Sequence, residues 1–171
     1  MKILVVSDTH GKTENLRDAI EIEKPDRIYH LGDGQGVEDN LWMMSEAPAE
    51  CVCGNCDWGT NLPGDIVLEV GKHVILLTHG HGYGVNYGYD RIADAAHRKG
   101  CDVVLYGHTH VPTIDHYEDL IIANPGSIAY PRQNSREHTY MTILVDNEGE
   151  FKMDLHSLEE YDRGHGNKNC Y

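Results

Sequence analysis

Five short segments of the chain combine aspartate, asparagine and histidine with glycine in a pattern that suits metal binding. They are Asp8-Thr9-His10, Gly32-Asp33, Gly54-Asn55, His79-Gly80-His81 and Gly107-His108-Thr109-His110. Imidazole nitrogens suit zinc, iron and manganese, whereas carboxylate and amide oxygens suit harder cations. The mixed oxygen and nitrogen donors therefore predict first-row divalent metals, with manganese as the first choice and nickel, iron or zinc as alternatives.

The number of candidate ligands indicates two metal ions rather than one. The seven candidates are Asp8, His10, Asp33, Asn55, His79, His108 and His110. Such a set exceeds the needs of a single tetrahedral ion, but it fits two ions that share one bridging carboxylate, for which Asp33 is the candidate. Two ions about 3.5–4 Å apart activate water and stabilise the charge of a phosphoryl transition state. The set therefore predicts hydrolysis of a phosphate ester.

Each of these segments follows a short apolar run that predicts a buried strand. The runs are Lys2–Ser7, Arg27–Leu31, Glu50–Cys53, His73–Thr78 and Asp102–Tyr106. Helices are predicted over Thr13–Lys24, Val37–Ser45 and Tyr89–Lys99, and residues 112–156 predict antiparallel hairpins. Because ligand sites in open α/β sheets form at the carboxyl ends of strands, we expect the five polar segments to meet in one crevice.

In this order the five segments resemble the signature of the calcineurin-like metallophosphoesterases, which runs Asp-x-His, Gly-Asp, Gly-Asn-His-Asp/Glu, His and Gly-His-x-His. The later motifs Asn124-Pro125-Gly126-Ser127 and Pro131-Arg132 are similar to those of the compact YfcE-type phosphodiesterase subgroup. The resemblance implies an α/β fold, a four-layer α/β/β/α sandwich of two mixed β-sheets flanked by helices. It also implies one metal held by Asp8, His10, Asp33 and His110, and a second held by Asp33, Asn55, His79 and His108.

The resemblance implies an enzyme that hydrolyses a small phosphodiester, or less readily a phosphomonoester, through a hydroxide activated by the two metals. Asp33, Asn55 and His108 are the expected catalytic residues. One position departs from the family, because Cys56 stands where larger members have a histidine near the leaving group, and the general acid therefore stays open. A thiol is a poor match to an alkoxide leaving group, so we hypothesise a preference for aryl or otherwise activated phosphodiesters.

An alternative with the same fold is a non-catalytic, metal-binding scaffold for protein interactions. The superfamily includes a scaffold of similar size that carries a substitution at the position of His10, whereas His10 is intact here and favours the enzyme. Other roles stay open. His81 and Arg132 are each either phosphate contacts or ordinary loop residues, and the tyrosines over 83–89 either stack on an aryl group or pack within the loop or between subunits of a homo-oligomer.

Length and charge restrict the partners of the chain. Its 171 residues predict a single domain over 1–171, with a tail over 163–171 that the core does not need. A formal net charge of -14 makes nucleic acid polymers poor partners, whereas a small phosphate-ester substrate is compatible with a site that holds cations. No apolar run long enough for a membrane, no secretory signal and no disulfide framework are recognisable, which predicts a cytoplasmic protein.

Overall fold

The computed structural model describes residues 1–159, which form ten strands and three α-helices. In chain order the strands are β1 (Lys2–Val6), β2 (Arg27–His30), β3 (Ala49–Cys51), β4 (Asp65–Val70), β5 (His73–Thr78), β6 (Val103–Leu105), β7 (Thr113–Tyr117), β8 (Leu120–Asn124), β9 (Thr139–Val145) and β10 (Phe151–Ser157). The helices are α1 (Glu14–Glu23), α2 (Leu41–Met44) and α3 (Asp90–Lys99). The tail predicted over 163–171 lies outside the described residues.

The strands form two mixed sheets, and each contains three mutually parallel strands. The first sheet has the order β10-β9-β1-β2-β3, in which β1, β2 and β3 are parallel and β9 is antiparallel to β1 and β10. The second has the order β4-β5-β6-β8-β7, in which β5, β6 and β8 are parallel and the two edge strands are antiparallel to their neighbours. Both predicted C-terminal hairpins are therefore present, but β8 also adds a parallel strand to the second sheet.

Side-chain alternation along the strands builds the layers of the fold. On β1, Ile3 and Val5 point into a core between the two sheets, where they join Leu105 of β6. The intervening residues of β1, Leu4 and Val6, pack with helix α1 on the outer face of the first sheet. Helix α3 covers the second sheet through another apolar cluster. The observed architecture is the four-layer α/β/β/α sandwich that the resemblance implied.

The prediction of one helix over Val37–Ser45 is wrong. The segment instead contains a turn of 3₁₀-helix, Glu38–Asn40, followed by the single α-helical turn α2. Asn40 turns its side-chain amide back to the carbonyl oxygen of Gly36 (3.0 Å), and Ser45 is already extended. Asparagine side chains compete in this way with the hydrogen bonds of a regular helix, so propensity alone overestimated the length of the helix.

The parallel strands carry all of the candidate metal ligands at their carboxyl ends. Asp8 follows β1, Asp33 follows β2 and Asn55 follows β3, while His79 follows β5 and His108 follows β6. Each sheet thus contributes loops to one shared edge, which is the usual location of ligand sites in α/β sheets. Among residues 1–159, no helix has the length and apolar composition needed to cross a membrane.

Candidate metal centre

Backbone hydrogen bonds fasten the ligand-bearing loops to one another. The N–H of Asp8 donates to the carbonyl oxygen of Gly32 (3.1 Å), and the N–H of His10 donates to that of Asp33 (2.8 Å). Across the two sheets, the N–H of His108 donates to Oδ2 of Asp8 (3.1 Å). The loops therefore form one bonded unit, and the position of each candidate ligand depends on its neighbours.

Two buried carboxylates and three imidazoles form the centre of the site. Nε2 of His110 lies 3.0 Å from Oδ1 of Asp8, and Nε2 of His79 lies 3.4 Å from Oδ2 of Asp33. Nε2 of His10 lies 3.8 Å from the same Asp33 oxygen and 4.0 Å from Oδ1 of Asp8. Each carboxylate thus faces more than one imidazole, which is the arrangement needed for ligands shared between neighbouring cations.

Hydrogen bonds on the far side of two imidazole rings orient them toward the carboxylates. Nδ1 of His79 donates to the carbonyl oxygen of Leu31 (2.7 Å), and Nδ1 of His110 donates to that of Tyr130 (2.6 Å). A proton on Nδ1 leaves the lone pair of Nε2 directed into the site. Metal-binding histidines in proteins are commonly held by such a bond to a backbone carbonyl.

The structure places Asn55 and His108 on the open side of this cluster. Oδ1 of Asn55 lies 3.2 Å from Nε2 of His79, and the Asn55 side chain is exposed. The half-buried His108 ring lies 5.2 Å from the His79 ring, centre to centre, while its Nε2 is 3.0 Å from the Asn86 amide. In residues 1–159, His108 belongs to none of the groups of three whose ligand atoms lie within 4.8 Å of one another. It therefore lies at the rim.

The donor set fits divalent cations. Oδ1 of Asp8 is buried and receives no hydrogen bond from the residues described. Nε2 of His110 lies 3.0 Å from this oxygen without forming one. An unpartnered buried carboxylate oxygen is costly in protein alone, but it is an ordinary ligand for a cation. The close groups Asp8-His10-His110 and Asp8-Asp33-His79 provide both oxygen and nitrogen donors around it. Cys56, which the resemblance placed near the leaving group, also lies close to His10 and Asp33.

The charges within the site favour forms that bind metals. Burial opposes ionisation of Asp8 and Asp33, but the neighbouring imidazoles outweigh it and hold the pKa of each carboxyl below its usual value. Burial lowers the pKa of His10 and of His108, so both rings are neutral at pH 7. Burial also opposes protonation of His79, yet Asp33 and Asp8 raise its pKa. Cations would replace that proton as the partner of the carboxylates.

Left-handed backbone conformations concentrate at the candidate ligands. Among non-glycine residues with positive φ, five are candidates: Asp8 (56°), His10 (46°), Asp33 (53°), His108 (67°) and His110 (59°). Aspartate and histidine tolerate this region better than most residues, but the conformation still costs on the order of 1 kcal/mol or more at each position. Such strain clusters at functional sites, because the surrounding structure enforces it to direct side chains inward.

Two glycines of the motifs are required by close packing. A Cβ at Gly54 would overlap the carboxylate and the backbone nitrogen of Asp33, and a Cβ at Gly107 would overlap the Ser7 hydroxyl. Neither neighbour can move freely, since Asp33 is a candidate ligand and Ser7 is buried at the end of β1. The glycines before Asn55 and His108 therefore allow loops from different strands to approach within van der Waals contact.

Asp57 is a functional residue that the sequence reasoning did not assign. Its buried carboxylate accepts the backbone N–H groups of Asp33, Gly54 and Gln35, each at 2.8 Å. Asp57 thereby ties the loop after β2 to the loop after β3. Its signal was present in the acidic position that closes the Gly-Asn-His-Asp/Glu pattern, two residues after Asn55.

His30 and the turn Asn124–Ser127 support the site from behind. His30 is buried, its Nε2 lies 3.0 Å from the Thr9 hydroxyl, and burial lowers its pKa to about 4. The Ser127 hydroxyl donates to the carbonyl oxygen of Asp8 (2.9 Å), and the Asn124 amide donates to that of Gly107 (2.8 Å). This turn has a structural role, since it joins the first and last ligand loops.

The two residues left open lie at the rim of the centre. His81 is exposed, and its ring lies 5.4 Å from that of His79 and 6.1 Å from that of His108. Arg132 is exposed too, and its Nη1 donates to the carbonyl oxygen of His108 (3.4 Å). Both side chains are therefore near enough to contact a ligand bound over the cluster.

Comparison with known proteins identifies similar chains over most of this length. A sequence model described as the calcineurin-like phosphoesterase superfamily domain matches residues 1–148. The probable metallophosphoesterase YsnB of Bacillus subtilis is 30% identical over 150 residues, which are 86% of this chain and 86% of YsnB. Phosphodiesterase MJ0936 of Methanocaldococcus jannaschii is 30% identical over 149 residues, 74% of this chain and 83% of that protein. The crystal structure of a predicted phosphoesterase from Streptococcus pneumoniae has a TM-score of 0.78 at 31% identity, covering 91% of this chain and 88% of that chain.

Asp57→Asn should weaken the site without removing a candidate ligand. The amide loses one of two acceptor oxygens and directs its own N–H groups at backbone donors, so the free energy of unfolding should fall by roughly 2–4 kcal/mol. Manganese affinity should fall about 10–100-fold. Urea unfolding and calorimetric titration with manganese measure the two effects. Asp18→Asn, an exposed change of the same chemistry on α1, should alter neither. Unchanged manganese affinity in Asp57→Asn would contradict the assignment.

His30 should make the metal-free protein less stable in mild acid. Its ring is neutral when folded, with a pKa of about 4, whereas the unfolded chain takes up a proton near pH 6.5. The contribution of the neutral His30 ring to the free energy of unfolding is therefore fully present above pH 6.5, and it is lost as the pH decreases toward 4. When the pH is lowered from 7.5 to 5.0, the free energy of unfolding measured with urea should fall by about 2 kcal/mol more in wild type than in His30→Gln. The exposed control His116→Gln should follow wild type, and equal losses in wild type and His30→Gln would refute the prediction.

Proposed function

Because the chain belongs to the calcineurin-like phosphoesterase superfamily, a family of divalent-metal-dependent enzymes, we propose that it hydrolyses a small phosphodiester at a centre of two divalent cations. The observation that carries the proposal is the position of Asp33. One oxygen of its carboxylate lies 3.4 Å from Nε2 of His79 and 3.8 Å from Nε2 of His10. These imidazoles belong to different proposed ligand sets, so this position supports Asp33 as the residue that would bridge them.

The proposed ligands divide into two sets that share this carboxylate. One cation would be held by Asp8, His10, Asp33 and His110, and the other by Asp33, Asn55, His79 and His108. Manganese is the first candidate, and nickel, iron and zinc suit the same donors. When bound, such cations neutralise phosphate oxygens and lower the pKa of water toward neutrality. This chemistry is what hydrolysis of a phosphodiester requires, and the similar protein MJ0936 is named a phosphodiesterase.

The residues of the chain have distinct roles in this reaction. Asp33 holds its negative charge even when buried, because imidazoles surround it, and so it fixes the separation of the two ligand sets. Asn55 and His108 lie on the open side, where an incoming phosphate oxygen would contact them. The neutral His108 ring is kept in place by the Asn86 amide, so it meets the substrate without adding a fixed charge. Asp33, Asn55 and His108 are therefore the proposed catalytic residues.

Cys56 determines which leaving groups suit the site. Burial, together with the neighbouring Asp33 carboxylate, raises the pKa of its thiol to about 11, so the thiol stays protonated at neutral pH. Its backbone N–H donates to Oδ1 of Asp33 (2.7 Å), and the Asn55 amide approaches its sulfur (3.2 Å). Such a weak acid gives little assistance to an alkoxide, whereas an aryloxide needs little. The proposal therefore favours phosphodiesters with aryl or otherwise activated leaving groups over monoesters and simple alkyl diesters.

The alternative is a non-catalytic metal-binding scaffold of the same fold. A scaffold does not require His10, yet here the His10 ring lies 5.4 Å from that of His110 and faces both carboxylates. The intact position favours the enzyme. Purified protein that contains metal and turns over bis-nitrophenyl phosphate would support hydrolysis, whereas protein with neither would support the scaffold.

Replacing the bridging carboxylate should abolish hydrolysis. Asp33→Asn removes the charge shared by the two ligand sets, so turnover of bis-nitrophenyl phosphate with saturating manganese should fall by roughly 100-fold or more. Elemental analysis after dialysis should show fewer manganese ions per chain. Asp154→Asn makes the same change on the surface strand β10 and should match wild type in both measurements. Near-wild-type turnover in Asp33→Asn would sink the dinuclear assignment.

A histidine at position 56 should improve hydrolysis of unactivated substrates. It would provide an imidazolium acid near the leaving group, and its benefit should be greatest where the leaving group most needs a proton. Relative to wild type, Cys56→His should gain roughly tenfold more on a dialkyl phosphate than on a nitrophenyl diester. Cys56→Asn, which has similar bulk but cannot donate as an acid, should show no such difference. The leaving-group argument is wrong if Cys56→His gains equally on both substrates.

A further inference from the structure

A cleft beside the proposed metal centre has a composition unlike that of the rest of the chain. It has a volume of about 700 Å³, one wall formed by His10 and His110, and another formed by Tyr130, Arg132 and Arg136. That volume lies within the range of small-molecule sites. The chain has 28 aspartates and glutamates, yet none lines this cleft within the residues described. A space of this size and polarity next to the ligands suits the part of a substrate that is not being hydrolysed.

Both arginines of the cleft have hydrogen-bonding capacity to spare. Nη1 of Arg132 donates to the carbonyl oxygen of His108 (3.4 Å), and Nη1 of Arg136 donates to that of Pro131 (3.0 Å). In residues 1–159 neither guanidinium forms a salt bridge. Since a guanidinium has five N–H donors in a planar fork, each retains donors for an anion.

The loop that carries the arginines is held in a defined shape. The N–H of Arg132 donates to the carbonyl oxygen of His110 (3.2 Å), which ties the loop directly to a proposed ligand. The Gln133 amide closes the loop by donating to the carbonyl oxygen of Glu137 (2.6 Å). Arg136 has a left-handed backbone, with φ of 57°, which this closed loop imposes. The backbone that carries the two arginines is therefore ordered, and it places both side chains in the lining of the cleft.

A third cationic side chain, that of Lys12, lies over the ring of Tyr130. Nζ of Lys12 lies 4.0 Å from the centre of the Tyr130 ring, and that ring meets the His10 ring edge-on at 5.4 Å. Lys12 also forms no salt bridge within the described part of the chain. Tyr130 thus contacts both the proposed ligand His10 and the cation Lys12, and it lines the cleft together with the two arginines.

We infer that this cleft is a subsite for a second phosphate group, and that the substrate is a phosphodiester that carries a phosphate on its non-leaving ester group. The inference rests on the proposed function, because it assigns a substrate class to the same site. Arginine forks match the oxygens of a phosphate in two-point hydrogen bonds. In a chain with a net charge of -14, two arginines that line one cleft and a lysine over its Tyr130 also form a local exception to the repulsion of anions. Arg132, Arg136 and Lys12 are the specificity-determining residues of this subsite.

The test compares three nitrophenyl diesters that differ only at the far end of the other ester group. That group is propyl, 3-phosphonopropyl or 3-carboxypropyl, and all three release the same nitrophenolate. With manganese-loaded wild type, kcat/KM for the phosphono compound should exceed that for the propyl compound by roughly 10–100-fold. The carboxy compound should fall between them, because a carboxylate offers fewer acceptor oxygens to the two arginines. A carboxy compound that outperforms the phosphono compound would overturn the assignment to phosphate.

Charge-removing variants identify the residues responsible. Arg136→Met should reduce the phosphono-to-propyl ratio to within about threefold of unity, and Lys12→Met should lower it by several-fold without altering the arginine loop. If Arg136→Met disturbs the loop, Lys12→Met still measures the effect of removing one positive charge, because Lys12 lies outside the loop. The matched control is Arg17→Met, which removes an exposed arginine from α1 and should keep the wild-type ratio. A wild-type ratio in both subsite variants would overturn the inference.

A binding measurement separates this inference from the proposed function. Inorganic phosphate should bind metal-free wild type in calorimetric titration, and the double variant Arg132→Met/Arg136→Met should lose at least about tenfold in affinity. If wild type hydrolyses the propyl compound with no preference for phosphate, the subsite fails and the hydrolase stands. If no diester is hydrolysed, the proposed function fails, and the titration alone then tests the subsite. Phosphate binding that depends on the two arginines would support the anion subsite, and its absence would overturn the inference.

Discussion

The burial of two carboxylates among imidazoles is the constraint on which the rest of the structure depends. Asp8 and Asp33 lie at an edge shared by two sheets, nearly inaccessible to water, and a carboxylate in such a place is unstable without compensating groups. The compensation comes from His79, His110 and backbone N–H groups, each delivered by a different loop. The loops must therefore meet accurately, and cations complete the neutralisation of a cluster that protein groups balance only in part.

That accuracy comes from stiff strands behind strained loops. The parallel strands β1, β2, β5 and β6 end together because they are hydrogen-bonded in register and packed on one apolar core. Beyond their ends the chain turns through left-handed conformations at the candidate ligands and passes glycines that allow backbone to approach backbone. The stability of the sandwich supports this unfavourable local geometry. Asp57 also holds the loops in place, since its one carboxylate accepts three backbone N–H groups from two loops.

Charge is distributed unevenly in a way that suits a phosphate substrate. The chain as a whole is acidic, and long polyanions are repelled by its average field. At the proposed centre, cations would offset the carboxylates, and beyond His10 the cleft is lined by Arg132 and Arg136, with Lys12 over the ring of Tyr130. In the proposed function, small phosphate compounds would be bound by the cations and by the arginines of the cleft, despite the acidic charge of the whole chain.

The sequence by itself determined which candidate ligands follow the strands, the order of those strands along the chain and the layered α/β class, because each depends on short runs of adjacent residues. The strand Lys2–Val6 is apolar after its first residue and ends shortly before Asp8, and this local pattern of a strand followed by a polar loop repeats at Asp33, Asn55 and His79. Contacts between distant residues were beyond such reasoning. Asp57 binds the N–H of Asp33 from 24 residues away, and the Arg132 guanidinium reaches His108 across the same separation.

Only the tertiary structure decided those roles, and it also decided that His108 lies at the rim while Cys56 lies within a few ångströms of His10 and Asp33. It likewise replaced the helix expected at Val37–Ser45 with two short turns, because a side-chain hydrogen bond outweighed local propensity. The physical reason is the same in each case. A sequence pattern specifies what a side chain is able to do, whereas burial, hydrogen-bond partners and the distance to other charges exist only after the strands have packed.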